Sequence, residues 1–172
     1  MHFKDNREFM NLLEKTGDVV KIKQPVSWEL EVGAITRRSA ESSGPAVFFE
    51  NIEGYPSGYR IFSHPLATLR RLSIALGLPT QSSAREIQNA YEKRIANPIN
   101  PVIVKNPPCQ ENVMSGSEVD LFKFPAPLIH QGDGGRYIGT WHLTATRDPD
   151  SGWLNWGMYR AMVINRNTMA CF

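Results

Sequence analysis

Asn155 and Arg160 stand five residues apart in the aromatic-rich run Gly152-Trp153-Leu154-Asn155-Trp156-Gly157-Met158-Tyr159-Arg160. Asparagine offers a neutral carbonyl oxygen, suited to a hard cation or a phosphate-bound metal. Arginine offers a planar fork suited to a carboxylate. On a regular strand an odd separation puts the two side chains on opposite faces. A shared site therefore requires a bulge or bend, and Gly157 is the expected place for it. The plainer alternative is a solvent-facing Arg160 and a turn-end Asn155. A second candidate is the loop Gln131-Gly132-Asp133-Gly134-Gly135-Arg136, whose backbone N–H groups could approach a phosphate. It lacks the strand–GxGxxG–helix context of a dinucleotide site and the lysine of a P-loop, and its plainer alternative is a mobile surface loop.

Other chemistry finds less support. The four histidines, His2, His64, His130 and His142, show no metal-ligand spacing, and Cys109 and Cys171 match none either. Reduced thiols are expected rather than a disulfide. Trp141, Trp153 and Trp156 read as core or interface packing, and no nucleophile–base pair follows from spacing. With Lys+Arg 19 against Asp+Glu 17 the net charge is +2, too small to argue for nucleic acid or a membrane surface. The pairs Arg37-Arg38 and Arg70-Arg71 read as solvated helix faces. The polar N-terminus lacks the apolar segment of a signal peptide, and no stretch approaches the ~20 apolar residues of a membrane span. A cytoplasmic protein is expected.

The 172 residues, 41% hydrophobic, suffice for one domain or one domain and part of another. Asp5, with Glu8 as its capping-box partner, predicts a helix over 6–15 that ends at Gly17. Further helices are expected over 28–42, 65–77 with Pro65 in first position, and 83–96 capped by Ser82 or Ser83. Strands are expected at 19–23, 46–49 and 59–62. The prolines at 98, 101, 107 and 108 place a boundary near 97–116, with Val102-Ile103-Val104 as a short strand inside it. Beyond it comes an apolar segment at 122–127. Two strands, 137–146 and 153–164, then flank the turn Asp148-Pro149-Asp150-Ser151-Gly152 as a β-hairpin. The fold class is α+β: an N-terminal α/β domain, 1–108, and the beginning of a β domain, 109–172.

Several separated motifs, in order, resemble the N-terminal part of UbiD-type decarboxylases. They are Glu8-Phe9, Gly17-Asp18, Gly44-Pro45-Ala46, Cys109-Gln110, Ser115-Gly116-Ser117-Glu118-Val119-Asp120-Leu121, Gly134-Gly135-Arg136-Tyr137-Ile138-Gly139-Thr140 and Trp153-Leu154-Asn155-Trp156-Gly157-Met158-Tyr159-Arg160. The likeness runs from about residue 3 to the C-terminus and covers roughly the first third of a typical member. It implies reversible decarboxylation of aromatic or α,β-unsaturated carboxylic acids with prenylated FMN. It also implies that the β domain is a split-barrel, flavin-binding domain. Asn155 is then the ligand of a divalent metal, Mn or Mg, that bridges to the flavin phosphate, with K as a further candidate ion. Arg160 belongs to a Glu–Arg–Glu network at flavin and substrate and is the catalytic candidate. Gly157, Met158 and Tyr159 lie against the cofactor largely through backbone, and Thr140 matches a position near the flavin. In the family the metal-binding His lies a few residues past the position of Phe172, with the metal-binding Glu and both network Glu residues beyond it. The resemblance thus implies a site completed by the remainder of the enzyme or by a homo-oligomer partner. The competing expectation is a non-catalytic α/β module for structure or subunit docking.

Overall fold

The computed structural model describes residues 3–99 and 102–172, so His2 and Pro101 lie outside the described residues. The chain forms two compact units. Residues to Ile22, Thr36–Phe49 and Phe62–Met114 make the first; Lys23–Ile35, Glu50–Ile61 and Ser115–Phe172 make the second.

In the first unit, helix α1 spans Asn6–Lys15 and buries Phe9 and Leu13 on one face. Asp5 caps it as its sequence position predicts: the carboxylate accepts the Glu8 N–H at 2.8 Å. Strand β1 (Val19–Ile22) runs parallel to β2 (Ala46–Phe49), and β3 (Ile61–Ser63) completes the order β1-β2-β3. All four β2 residues are buried, as a central parallel strand requires. Helix α2 covers Glu31–Glu41, α3 Leu69–Ala75 and α4 Ala84–Ile95. Phe9, Leu13 and Ile74 form a core with Leu12, Val19 and Phe62 packed against it. Ser83 and Glu86 close a reciprocal capping box on α4.

Three expected elements change. The helix expected from Pro65 begins at Leu69, because Thr68 takes the cap and its hydroxyl accepts the Arg71 N–H. The helix expected from residue 28 begins at Glu31, because Leu30 adopts φ 65° and Glu29 bridges to Leu128. Val102-Ile103-Val104 is not a strand; its side chains are 82%, 94% and 59% exposed.

In the second unit, β4 (Tyr137–Gly139), β7 (Ala161–Asn165) and β8 (Thr168–Cys171) form one antiparallel sheet in the order β4-β7-β8. Strands β5 (Leu143–Arg147) and β6 (Leu154–Met158) form a separate two-stranded sheet. Arg136 pins the loops of this unit. Its guanidinium donates to the carbonyls of Ala126 and Phe124 and to the Tyr55 hydroxyl, and it lies 4.0 Å from the centroid of the Trp28 ring. Among the described residues no helix is long and apolar enough to cross a membrane.

Candidate functional site

The turn 148–152 closes the predicted hairpin. Asp148 Oδ1 accepts N–H bonds from Asp150 at 2.9 Å and Ser151 at 2.7 Å, and Gly152 supplies φ 72°. The hydrogen bonds from Ser151 and then Asp150 hold the Asp148 carboxyl below its usual range. The hairpin register pairs Leu143 with Met158, Thr144 with Gly157, Ala145 with Trp156 and Thr146 with Asn155.

Neither long strand of the sequence reading is continuous. The 137–146 stretch breaks at 140–142, and the 153–164 stretch breaks at Tyr159–Arg160. Gly139 pairs with Ala161 on one side of the interruption and Leu143 with Met158 on the other. Three residues, Thr140, Trp141 and His142, separate the ladders on one side and two, Tyr159 and Arg160, on the other. The two ladders belong to separate sheets, so the unequal gap is a break in pairing between them. Pairing is thus interrupted between Asn155 and Arg160, two residues after Gly157, which itself stays paired in β6.

Pleating puts Asn155 and Gly157 on one face of β6. The Tyr159 ring folds back over Gly157, where an added Cβ would sit 2.4 Å from the ring edge. Its hydroxyl accepts a hydrogen bond from Asn155 Nδ2 at 3.2 Å. A matching arrangement occurs across the break: the His142 imidazole covers Gly139, and its Nε2 lies 3.1 Å from Thr144 Oγ1. Asn155 is half-buried, whereas Thr140, Met158, Tyr159 and Arg160 are exposed. Met158 is on the opposite face of β6 from Asn155, with Leu154 and Trp156. The Arg160 backbone is fixed by reciprocal bonds with Phe172, 3.2 Å from its N–H and 3.0 Å to its carbonyl. Among the described residues no acidic side chain forms an ion pair with its guanidinium.

Thr140, Tyr159 and Arg160 lie in the unpaired stretches of the break, and Asn155 meets the Tyr159 hydroxyl. Sequence reasoning did not foresee His142 or Thr144 here. The available signal was a glycine followed closely by a ring, Gly139 by His142 and Gly157 by Tyr159. The glycine loop is held rather than free: a Cβ on Gly134 or Gly135 would sit 3.3 Å from Met162, and Asp133 accepts the His130 N–H at 2.9 Å. Of the residues here, the one suited to donate to a hard cation is Asn155, through its amide oxygen. Among the described residues no three His, Cys, Asp or Glu side chains cluster to hold a metal.

Two family models match this chain. The 3-octaprenyl-4-hydroxybenzoate carboxy-lyase N-terminal domain matches residues 10–91, and the Rift-related domain of the same carboxy-lyase matches residues 101–172. The chain belongs to the UbiD family. The pyrrole-2-carboxylic acid decarboxylase of Pseudomonas aeruginosa is 41% identical over 96% of this chain and 35% of its own length. The solved vanillic acid decarboxylase of Sedimentibacter hydroxybenzoicus is 32% identical, with a TM-score of 0.88 over 99% of this chain and 36% of that one. A UbiD-class enzyme of Pelotomaculum thermopropionicum, solved in complex with prFMN, shares the fold at 24% identity, with a TM-score of 0.77 over 96% of this chain and 37% of its own. The UbiD chain described here thus spans about a third of the length of the relatives it matches.

Proposed function

We propose that this chain is the N-terminal portion of a reversible, non-oxidative decarboxylase of aromatic or α,β-unsaturated carboxylic acids that uses prenylated FMN. The observation that carries the reading is the break in strand pairing, which leaves Arg160, without an ion-pair partner among the described residues, within one short segment of Asn155. The decarboxylase activities of the relatives support it. In this reading residues 1–108 are the N-terminal α/β domain and 109–172 begin the split-barrel cofactor domain, in a cytoplasmic enzyme.

Breaking the bond between carbon and a carboxylate leaves an electron pair on carbon, and amino-acid side chains provide no sink for it. Prenylated FMN supplies that sink when bound. The roles left to this chain are binding and orientation. Arg160 holds the substrate carboxylate through its fork, with its position fixed by the backbone bonds to Phe172. Asn155 would give one oxygen to a divalent cation, Mn or Mg, held with the cofactor, and the Tyr159 hydroxyl orients its amide. Thr140, Gly157, Met158 and Tyr159 form the adjoining wall. The carboxylic acid that returns a proton to carbon belongs to the remainder of the enzyme or to a partner subunit.

A second reading, a docking module, is favoured by the apolar face of the hairpin, where Leu143, Trp156 and Met158 are 59%, 57% and 58% exposed. The two are separated by assaying the whole enzyme, reconstituted with prenylated FMN and Mn2+, against pyrrole-2-carboxylate, vanillate and cinnamate-type acids. Cofactor-dependent loss of at least one acid with release of CO2 is expected. Full cofactor occupancy with no turnover of any of them would favour the docking module.

A further inference from the structure

Gly157 is the anomaly of the hairpin. It pairs with Thr144 inside β6, although glycine weakens a strand and gives it no side chain to pack. A glycine in such a place marks the close approach of another group. Here that group is the Tyr159 side chain. A Cβ at 157 would sit 2.4 Å from Tyr159 Cε2, 2.8 Å from Cζ and 2.9 Å from the hydroxyl oxygen. It is therefore the hydroxyl end of the ring that rests on the glycine.

The same hydroxyl accepts from Asn155 Nδ2 at 3.2 Å. Three residues thus act as one unit. Bare backbone at 157 lets the ring end lie down, and the ring end places the hydroxyl. The hydroxyl in turn holds the Asn155 amide. Any side chain at 157 would displace the very atom that Asn155 meets. With Nδ2 turned to the hydroxyl, Oδ1 is the end of the amide left free among the described residues. A carbonyl oxygen is what a hard cation takes. An amide already held in place loses less rotamer freedom on binding than one that turns freely.

We propose that Tyr159 is a positioning residue for metal binding at Asn155, and that Gly157 is the seat its ring requires. The inference rests on the decarboxylase reading, in which Asn155 is a metal ligand. It gives Gly157 a role that runs through Tyr159, besides its place in the adjoining wall.

The test is Mn2+ binding to the whole enzyme, stripped of metal and titrated while the EPR signal of free Mn2+ is followed. Thermal unfolding of each variant is measured alongside. Tyr159→Phe keeps the ring on Gly157 and removes the hydroxyl. Gly157→Ala keeps the hydroxyl and displaces it. Tyr159 is 39% exposed, so its ring end can swing into solvent, and alanine should leave Tm unchanged or raised. Each variant is expected to weaken the apparent Kd for Mn2+ roughly tenfold or more, as the loss of groups that orient a ligand does. A merely structural role would instead lower Tm and leave the Kd alone. An unchanged Kd in either folded variant would overturn the proposal, and if one fails to fold the other decides. Asn155→Ala keeps the two levels apart. If it weakens Mn2+ binding while Tyr159→Phe does not, the inference fails and the metal role of Asn155 stands. If Asn155→Ala binds Mn2+ as the native enzyme does, that reading fails and takes the inference with it.

Discussion

His64 carries backbone strain and a buried ring edge together. Its φ is 38°, in the left-handed region, and its Nε2 is buried without a partner among the described residues. Burial, and then the neighbouring Arg71 charge, hold the imidazole below the ordinary histidine range. The unfolded chain therefore binds more protons than the folded one between the lowered value and about 6.5. Stability must fall as pH drops below about 6.5, and this contribution is fully present above it. Urea unfolding between pH 5 and 8 should show that slope in the native protein. It should be flatter in His64→Asn, which does not titrate and accepts the left-handed backbone; identical slopes would contradict the account. Neither His64 nor Arg71 was legible as a buried residue. The pair Arg70-Arg71 reads as a solvated face, but adjacent helical residues point about 100° apart, so one of two can turn inward. Here Arg71 does so, while the Arg70 side chain stays 45% exposed. The chemical types of Asn155 and Arg160 were legible, whereas the end of strand pairing after Met158, rather than at Gly157, was not.

At the scale of elements, local signals succeeded where the chain supplies its own cap or turn. Asp5, Ser83 and the 148–152 turn each satisfy nearby backbone groups, so nothing distant decides them. The failures share a tertiary cause. The alternation over 137–146 and 153–164 continues through the break, because where two strands stop pairing is a property of both and not of either sequence alone. Likewise the late start of α2 depends on Leu128, almost a hundred residues away. The same helix contains a close approach that composition cannot reveal. A Cβ on Gly33 would lie 2.1 Å from the Ile129 carbonyl oxygen, a backbone atom that cannot rotate aside. Gly33→Ala is expected to cost about 1–3 kcal/mol despite its better helix propensity. Chemical denaturation measures it, and an unchanged or raised midpoint would show that α2 does not dock on that segment as described.

On the scale of the whole molecule, the ordered motifs were the most informative part of the sequence. They pointed to a UbiD-type chain, and the two family models together cover all of those motifs except Glu8-Phe9. Substrate choice is not legible in the same way, because the chain spans about a third of its relatives' length and Arg160 and Asn155 are not specific to one acid. The proposed roles of these two residues nevertheless differ in kind, since one holds substrate and the other holds the metal at the cofactor. The decisive measurement is flavin occupancy alongside turnover in the whole enzyme carrying Arg160→Ala, with Asn155→Ala in parallel. The account predicts that Arg160→Ala keeps its flavin and loses roughly 100-fold or more of its turnover, while Asn155→Ala is purified depleted of flavin. Near-normal turnover in Arg160→Ala, or full flavin and full turnover in Asn155→Ala, would contradict it.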